Sequence, residues 1–210
     1  MFRSLAYFRH YEDEDIRRDQ KEGIAVYRPV DGLVVSNLTQ GTKFILSDYS
    51  FQSSVKQEEI FIYCLSGLLS DHLRDKFGTV ACVEIKDIRT FCNRIEAALS
   101  QATFPETRGR MRIGSWVEYY DESEGGNPRW ALPEKIATSK SRAYAWQNEF
   151  RLVFSLSDAL SFENVNTQLV QRQSVELLPL AEHHSYAVKA QDLRDICHST
   201  AFRSCRRIRD

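Results

Sequence analysis

The eight residues from Glu149 to Leu156 alternate strictly between two kinds of side chain. Successive side chains of a β-strand point to opposite faces, so this segment predicts a strand. One face is continuously apolar and carries Phe150, Leu152, Phe154 and Leu156. The opposite face carries Glu149, Arg151, Val153 and Ser155. A chain with such a strand must build a sheet that buries the apolar face against other elements.

Further short segments rich in β-branched and aromatic residues lie between turn residues and predict more strands. These segments are 24–27, 32–36, 42–46, 60–65, 79–85, 116–120 and 174–180. Residues 1–9 predict a short strand or a tight turn into a helix, and residues 135–146 are ambiguous.

Helices are predicted at 68–77, ended by Gly78, at 191–197, and in the charged stretch 11–23. The clearest amphipathic helix is 87–99, where apolar residues recur at helical spacing. Because the strands cluster instead of alternating with helices, the sequence predicts an α+β fold. We expect one domain over 1–210, with a mixed, mostly antiparallel sheet, flanking helices and a basic tail at 198–210.

Composition limits the class of protein. The 210 residues are 42% hydrophobic with a net charge of −1, which excludes disorder driven by charge and argues against bulk coating of nucleic acid. We expect no membrane span and no signal peptide, and therefore a cytoplasmic protein. The five cysteines form no CxxC pair, which argues against a zinc site and structural disulfides.

The first candidate for chemistry is the pair Glu149 and Arg151 on the polar face of the predicted strand. A guanidinium beside a carboxylate on a rigid element can hold that carboxylate in a cleft for catalysis. The alternative is an ordinary solvated strand face or a structural ion pair. The sequence leaves both interpretations open.

Three further groups are candidates for ligand binding. Arg3, near Tyr7 and Arg9, offers a planar fork for phosphate, or a surface salt bridge. Ser66, between a predicted strand and Gly67, can approach a ligand closely or serve as a turn residue. Asp19 and Glu22 lie three residues apart and could bind a metal ion or orient a ligand, or be solvated.

Several familiar motifs are missing from the sequence. It contains no Walker loop, no GxGxxG and no GxSxG, and its five histidines do not form a ligand cluster. His183 and His184 are adjacent, so on a strand they would point to opposite faces.

Five segments resemble a family of bacterial and prophage proteins, the domain of unknown function numbered 2971. They are FRSLAYFRHYEDEDIRRDQKEG, IFIYCLSG, FGTVACVEIKD, VEYYD, and Lys140 followed by YAWQNEFRLVF. The resemblance covers most of residues 1–156 and includes an Asp-x-x-Glu-Gly element and a Lys…Trp…Glu-x-Arg block. The family's Cys-Phe-Ser is here Cys64-Leu65-Ser66.

The same layout resembles compact ADP-ribosyltransferase toxin domains of anti-phage systems. That resemblance implies NAD as the cofactor, with Arg3 on its phosphates and Tyr7 or Tyr27 stacked on nicotinamide. Ser66 would orient the nicotinamide side, and Glu149 would stabilise the positive charge that develops at C1′ of the ribose or act as a base. Gln147-Asn148-Glu149 can be read as the Gln-x-Glu signature of protein-modifying members.

Three functional hypotheses follow. The first is an NAD-consuming transferase of a defence or toxin–antitoxin module, with an antitoxin as partner and RNA, DNA or protein as acceptor. The four arginines between 203 and 209 favour nucleic acid as acceptor, although a tail without a target is equally compatible. The second is a non-catalytic binding module, such as an antitoxin or a sensor of a phage component. The third is a Mg²⁺-dependent nuclease that uses Asp19, Glu22 and Glu149.

Overall fold

The computed structural model describes residues 1–9, 19–102, 114–124, 131–171 and 182–201. These residues form an α+β fold with few helices and mostly antiparallel sheets, as the sequence predicts. The helices are α1 (Leu5–Arg9), α2 (Asp71–Phe77), α3 (Ile88–Ala102) and α4 (Pro133–Ala137), with 3₁₀ segments at Arg142–Gln147 and Phe162–Asn164.

The strands are short and follow the chain in this order: β1 (Phe2–Ser4), β2 (Ile24–Tyr27), β3 (Leu33–Asn37), β4 (Thr42–Leu46), β5 (Tyr49–Ser54), β6 (Ile60–Ser66), β7 (Ala81–Ile85), β8 (Ser115–Trp116), β9 (Glu118–Tyr120), β10 (Ser139–Ser141), β11 (Glu149–Ser155), β12 (Asn166–Gln171), β13 (Ser185–Tyr186) and β14 (Cys197–Ala201).

The largest sheet has the strand order β13-β1-β6-β11-β8, and its pairs are antiparallel. Strands β6 and β11 pair along their full lengths, from Ile60 opposite Ser155 to Ser66 opposite Glu149. Glu149 therefore begins a strand, as the alternation predicts, and that strand lies beside the 60–65 segment. Strand β1 lies between β6 and the edge strand β13, which brings the N-terminal residues inside the sheet.

One face of this sheet packs against α3, the helix that the apolar spacing predicts. Phe2, Phe61, Leu152 and Phe154 meet Phe91, Ile95 and Leu99 in one core cluster. Leu152 and Phe154 are 0% exposed and Phe150 is half-buried, so the predicted burial of this face is confirmed. Aromatic stacking of Phe61 on Phe154 adds to the packing.

The other face of β11 is buried too, so its interpretation as a solvated surface is wrong. Helices α1 and α4 and strand β2 cover it, through a second core cluster that includes Leu5, Ile136, Ala25, Ile60 and Val153. Along this face β11 changes from apolar Val153, opposite Ile62, to charged Arg151 and Glu149 at its start. The candidate site lies at this polar end of the β6–β11 pair.

A second sheet has the order β12-β5-β2. Strand β2 matches its prediction, whereas β5 and β12 were not predicted. Their sequences, YSFQSS and NTQLVQ, contain mostly polar residues, several of which are buried here against neighbouring strands. Tertiary burial has overridden the weak strand signal of these segments.

Strands β3 and β4 form a hairpin at the predicted positions and pair only with each other within the described residues. Val34, Phe44 and Ile45 are more than half exposed on it.

Several predicted boundaries change. The helix predicted at 191–197 is wrong, because only a turn precedes β14, whose pairing with β7 takes Cys197 into a sheet. The strand predicted at 116–120 is divided at Val117, since β8 pairs with β11 and β9 pairs in parallel with β10. Helix α2 begins at Asp71, where the Ser70 hydroxyl caps it, and ends at left-handed Gly78 as predicted.

Three predictions fall outside the described residues, wholly or in part. They are the charged helix predicted over 11–23, the strand 174–180 and the arginines of the C-terminal tail. The described residues 19–23 of that charged stretch form a turn and not a helix, and His198–Ala201 of the tail belong to β14. Across the ranges that the structure covers, no helix has the length and apolar content needed to cross a membrane.

Candidate functional site

A pocket of about 440 Å³ opens at the polar end of the β6–β11 pair. Four of the five predicted site residues line it: Arg3, Tyr7, Ser66 and Glu149. They come from three strands and a helix that the sequence separates widely, so the pocket forms only when the central sheet is complete. The volume lies in the range of ordinary small-molecule sites, roughly 300–1,000 Å³.

Arg3 and Tyr7 form the cationic end of the pocket. The Arg3 guanidinium carbon lies 4.4 Å from the centre of the Tyr7 ring, a cation–π contact. Arg3 also donates a hydrogen bond to the Ser185 hydroxyl on β13. The Tyr7 ring in turn contacts the His183 ring, with centroids 5.7 Å apart. These contacts hold the guanidinium in place before any ligand arrives.

Tyr27 does not line the pocket. It ends β2, pairs with Phe51 of the second sheet and packs half-buried against the core cluster of Leu5. The structure therefore brings Tyr7, and not Tyr27, to the predicted nicotinamide site.

Ser66 lies at the end of β6, directly opposite Glu149. Its hydroxyl donates to the Gln147 carbonyl oxygen at 2.8 Å, which ties the turn before β11 to β6. The turn itself passes through Asn148 in the left-handed region, with φ 42°. The Ser66 oxygen accepts from the Leu68 amide at 3.4 Å and keeps a second lone pair, because a hydroxyl has two. Both interpretations of Ser66, as a turn residue and as a ligand contact, fit this geometry.

Arg151 anchors Glu149 from within the protein. Its Nε donates to Glu149 Oε1 at 2.7 Å, and its terminal nitrogens donate to Glu22 Oε1 at 2.6 Å and Oε2 at 2.9 Å. One terminal nitrogen also donates to the Ala137 carbonyl oxygen at 2.6 Å. Arg151 is 0% exposed and Glu149 5% exposed, so this is a buried ionic cluster and not an open surface pair.

Lys140 contacts Glu149 from the wall of the pocket. Its Nζ lies 2.8 Å from Gln147 Oε1 and 3.3 Å from Glu149 Oε2. Glu22 Oε2 is 3.9 Å away, and the Tyr144 ring centre is 4.7 Å away. Gln147, half of the Gln-x-Glu match, is thus buried with its amide oxygen bound to Lys140.

These cations determine the charge of Glu149. Burial alone would raise the pKa of this carboxyl, but the opposite charges of Arg151 and Lys140 outweigh burial and lower the pKa to about 2. Glu149 is therefore ionised at neutral pH. Cys64, next to it on β6, is open to the pocket but densely surrounded by protein; burial and then the Glu149 charge raise the pKa of its thiol.

Asp19 and Glu22 belong to the same cluster but do not form a metal site. Arg151 occupies both carboxylate oxygens of Glu22, and Asp19 Oδ1 accepts from the Lys21 amide at 2.9 Å. No group of three or more His, Cys, Asp or Glu side chains in the described ranges is placed to hold a metal ion. The buried Asp19 carboxyl has its pKa raised to about 6, first by burial and then by the Glu22 charge.

Replacing Asp19 by asparagine should stabilise the protein at neutral pH. The folded protein holds the Asp19 proton more tightly than the unfolded chain does, so ionisation destabilises the fold as the pH rises from about 4 to above 6. We expect D19N to gain on the order of 2 kcal/mol in the free energy of unfolding at pH 7.5, a gain that disappears near pH 4. Urea denaturation at both pH values measures it.

The control is D158N, which removes an exposed carboxylate from the Lys56–Asp158 pair and should leave stability nearly unchanged. A D19N protein that is less stable than the wild type at pH 7.5 would contradict the prediction that the ionised Asp19 carboxylate destabilises the fold.

Cys64, Lys140 and Gln147 also line the pocket and were not among the predicted site residues. The alternation of β6 contains a signal for Cys64, because it shares a strand face with Ser66. For Lys140 and Gln147 the signal was weaker, since the ambiguous stretch 135–146 becomes α4, β10 and a 3₁₀ segment and has no single periodicity.

No protein-family model, curated protein or solved structure matches this chain, so the site rests on its own geometry.

Proposed function

We propose that the chain binds NAD in this pocket and transfers its ADP-ribosyl group to an acceptor. The observation that carries the proposal is the convergence of Arg3, Tyr7, Ser66 and Glu149 on one pocket of about 440 Å³. The resemblance to ADP-ribosyltransferase toxin domains implies a distinct role toward NAD for each of these four residues.

The polarity of the pocket supports this choice of ligand. Its Arg3 end offers a cationic fork suited to a pyrophosphate, and its opposite part contains the ionised Glu149. Tyr7 provides an aromatic ring and the Ser66 oxygen can accept from a carboxamide N–H. A ligand that is anionic at one end and becomes electron-poor at the other matches this distribution of charge.

The chemistry asked of Glu149 is electrostatic. When the bond between C1′ of the ribose and the nicotinamide nitrogen breaks, the electron pair leaves with nicotinamide and positive charge develops at C1′. A fixed carboxylate stabilises that charge. The acceptor nucleophile then bonds to C1′ and releases its proton to water. The carboxylate has acceptor sites for about four hydrogen bonds, so its contacts with Arg151 and Lys140 leave capacity for the substrate.

A second candidate is a binding module that shares the pocket but performs no reaction. The specific observation in its favour is that both oxygens of Glu149 already contact cations, as in a structural ion pair. The nuclease hypothesis is not proposed further, because Arg151 takes both oxygens of Glu22. The Arg-rich segment 203–209 supports nucleic acid as acceptor, and the resemblance to toxin domains supports a toxin–antitoxin or anti-phage role.

The test is to incubate the purified protein with NAD and to measure released nicotinamide, with candidate acceptors analysed for an added ADP-ribosyl mass. The proposal expects nicotinamide release that depends on the protein. NAD binding without release would favour the binding module, and the absence of both would overturn the assignment of NAD.

Replacing Arg3 by lysine should weaken NAD binding by about tenfold, although the positive charge is kept. Lysine is a point charge and cannot reproduce the bidentate fork or the flat stack on Tyr7. Isothermal titration calorimetry with NAD measures the dissociation constant. The matched control is R142K, at an exposed pair with Glu124, and it should bind NAD as the wild type does. Equal affinities for R3K and R142K would remove Arg3 from the site.

A further inference from the structure

Two cations hold the Glu149 carboxylate, and they are placed very differently. Arg151 uses four of its five N–H donors inside the protein: its Nε binds Glu149, its terminal nitrogens bind both oxygens of Glu22, and one of them also binds the Ala137 carbonyl. A guanidinium with these commitments cannot turn toward a ligand without breaking buried hydrogen bonds. Arg151 therefore anchors one oxygen of Glu149 and does little else in the pocket.

Lys140 is placed to do more. Its ammonium has three N–H donors, and two have hydrogen-bond partners in the described part of the chain, Gln147 at 2.8 Å and Glu149 at 3.3 Å. The nearest further oxygen, on Glu22, is 3.9 Å away, beyond a direct hydrogen bond. A lysine also follows its partners more easily than an arginine does, because its charge sits on a flexible stem.

We propose that Lys140 is the positioning residue that aims the Glu149 carboxylate at a ligand in the pocket. Arg151 fixes Oε1 and Lys140 fixes Oε2, so the two cations together define the plane of the carboxylate. Without Lys140, the group is free to rotate about its contact with Arg151. This inference rests on the proposed function, because it takes C1′ of the NAD ribose as the atom toward which the carboxylate is directed.

Lys140 also affects the charge state of Glu149. The titratable groups that interact with Glu149 are Cys64 on β6, Tyr119 on β9, Lys140 on β10 and Arg151 on β11. Asp19 and Glu22, before β2, share the two cations Lys140 and Arg151 with it. Removing Lys140 would leave the buried carboxylates of Glu149 and Glu22 with only Arg151 to compensate them. Burial alone would raise the pKa of Glu149, and the charges of Arg151 and Lys140 now keep it low. Without Lys140, that pKa would rise.

The experiment compares K140M, K140R and the wild type. For K140M we expect kcat of nicotinamide release to fall at least tenfold while KM for NAD changes only a few-fold. The acid limb of its pH profile should move to higher pH, because Glu149 now protonates more readily. K140R keeps the charge but not the contact geometry, so it should retain the wild-type acid limb with an intermediate kcat. The control K56M, at the exposed pair with Asp158, should behave as the wild type.

A second measurement does not depend on catalysis. The ¹³C NMR titration of the Glu149 carboxyl, assigned by its absence in E149Q, should move to higher pH in K140M and stay near the wild-type position in K140R. An unshifted titration in K140M, or a wild-type kcat in K140R, would overturn the inference. If K140M does not fold, K140R alone decides by its kcat. A shifted Glu149 titration in a protein that releases no nicotinamide would instead show that the proposed reaction fails while the positioning holds.

Discussion

Replacing Arg151 by methionine should remove a large part of the protein's stability, about 3–5 kcal/mol or more. The substitution leaves Glu22 and Glu149 buried with only Lys140 to compensate two carboxylates, and it orphans the Ala137 carbonyl. Domains of this kind are stable by only about 5–15 kcal/mol in total, so a large unfolded fraction is expected already at low urea concentration. Urea denaturation at pH 7, followed by circular dichroism, measures the loss.

The control for this prediction is R142M, which removes an arginine of an exposed ion pair with Glu124. Exposed pairs contribute little, so its free energy of unfolding should stay within about 1 kcal/mol of the wild type. If R151M and R142M unfolded at the same urea concentration, the buried cluster would not be a source of stability. Acid should act in the same direction as R151M: the pKa of Glu149 is lowered to about 2, so its stabilising charge is lost as the pH falls below about 4.5 toward 2.

Replacing Glu149 by glutamine should reduce nicotinamide release by about 10²-fold or more, the scale expected when one main electrostatic group is lost. Because Glu149 is buried in an ion cluster, the substitution should also destabilise the protein, which the same change in an open cleft would not do. Glutamine leaves the Arg151 Nε and Lys140 opposite a neutral amide, although Arg151 keeps Glu22. We expect a loss of about 1–3 kcal/mol. Activity must therefore be expressed per folded molecule, measured by the same denaturation assay.

The matched control is E22Q, which weakens the same cluster from a residue that does not line the pocket. It should lose a similar amount of stability but far less activity than E149Q. If E149Q kept full activity per folded molecule, Glu149 would not be the catalytic residue. If E22Q and E149Q lost activity equally, Glu149 would act only as part of a structural ion cluster.

The sequence predicted the elements whose side chains alternate or recur clearly. The β11 pattern and the spacing of α3 both carry a continuous apolar face, and both elements form as expected. By contrast, β5 and β12 contain mostly polar residues and form strands because they pair with each other in the second sheet. The periodicity of their sequences did not predict these strands. The same limit explains the wrong helix at 191–197, where pairing with β7 prevails over local propensity.

The candidate site was predictable by residue type but not by environment. Arg3, Tyr7, Ser66 and Glu149 meet in one pocket, whereas Tyr27 belongs to another sheet. Alternation showed that Glu149 and Arg151 share a face of β11, yet it could not show that helices α1 and α4 bury that face. Whether a polar strand face meets water or a second layer depends on long-range packing, which a single strand pattern does not contain.

The place of β1 in the central sheet has a consequence for the making of the protein. Arg3 is bound to Ser185, 182 residues away along the chain, and Arg151 to Glu22, 129 residues away. During translation β1 therefore lacks one of its two neighbouring strands until β13 has left the ribosome. Such distant pairings close late and slowly. In a nascent chain Arg3 accordingly lacks its Ser185 contact until synthesis has passed residue 185, although the residues that line the pocket all precede residue 152.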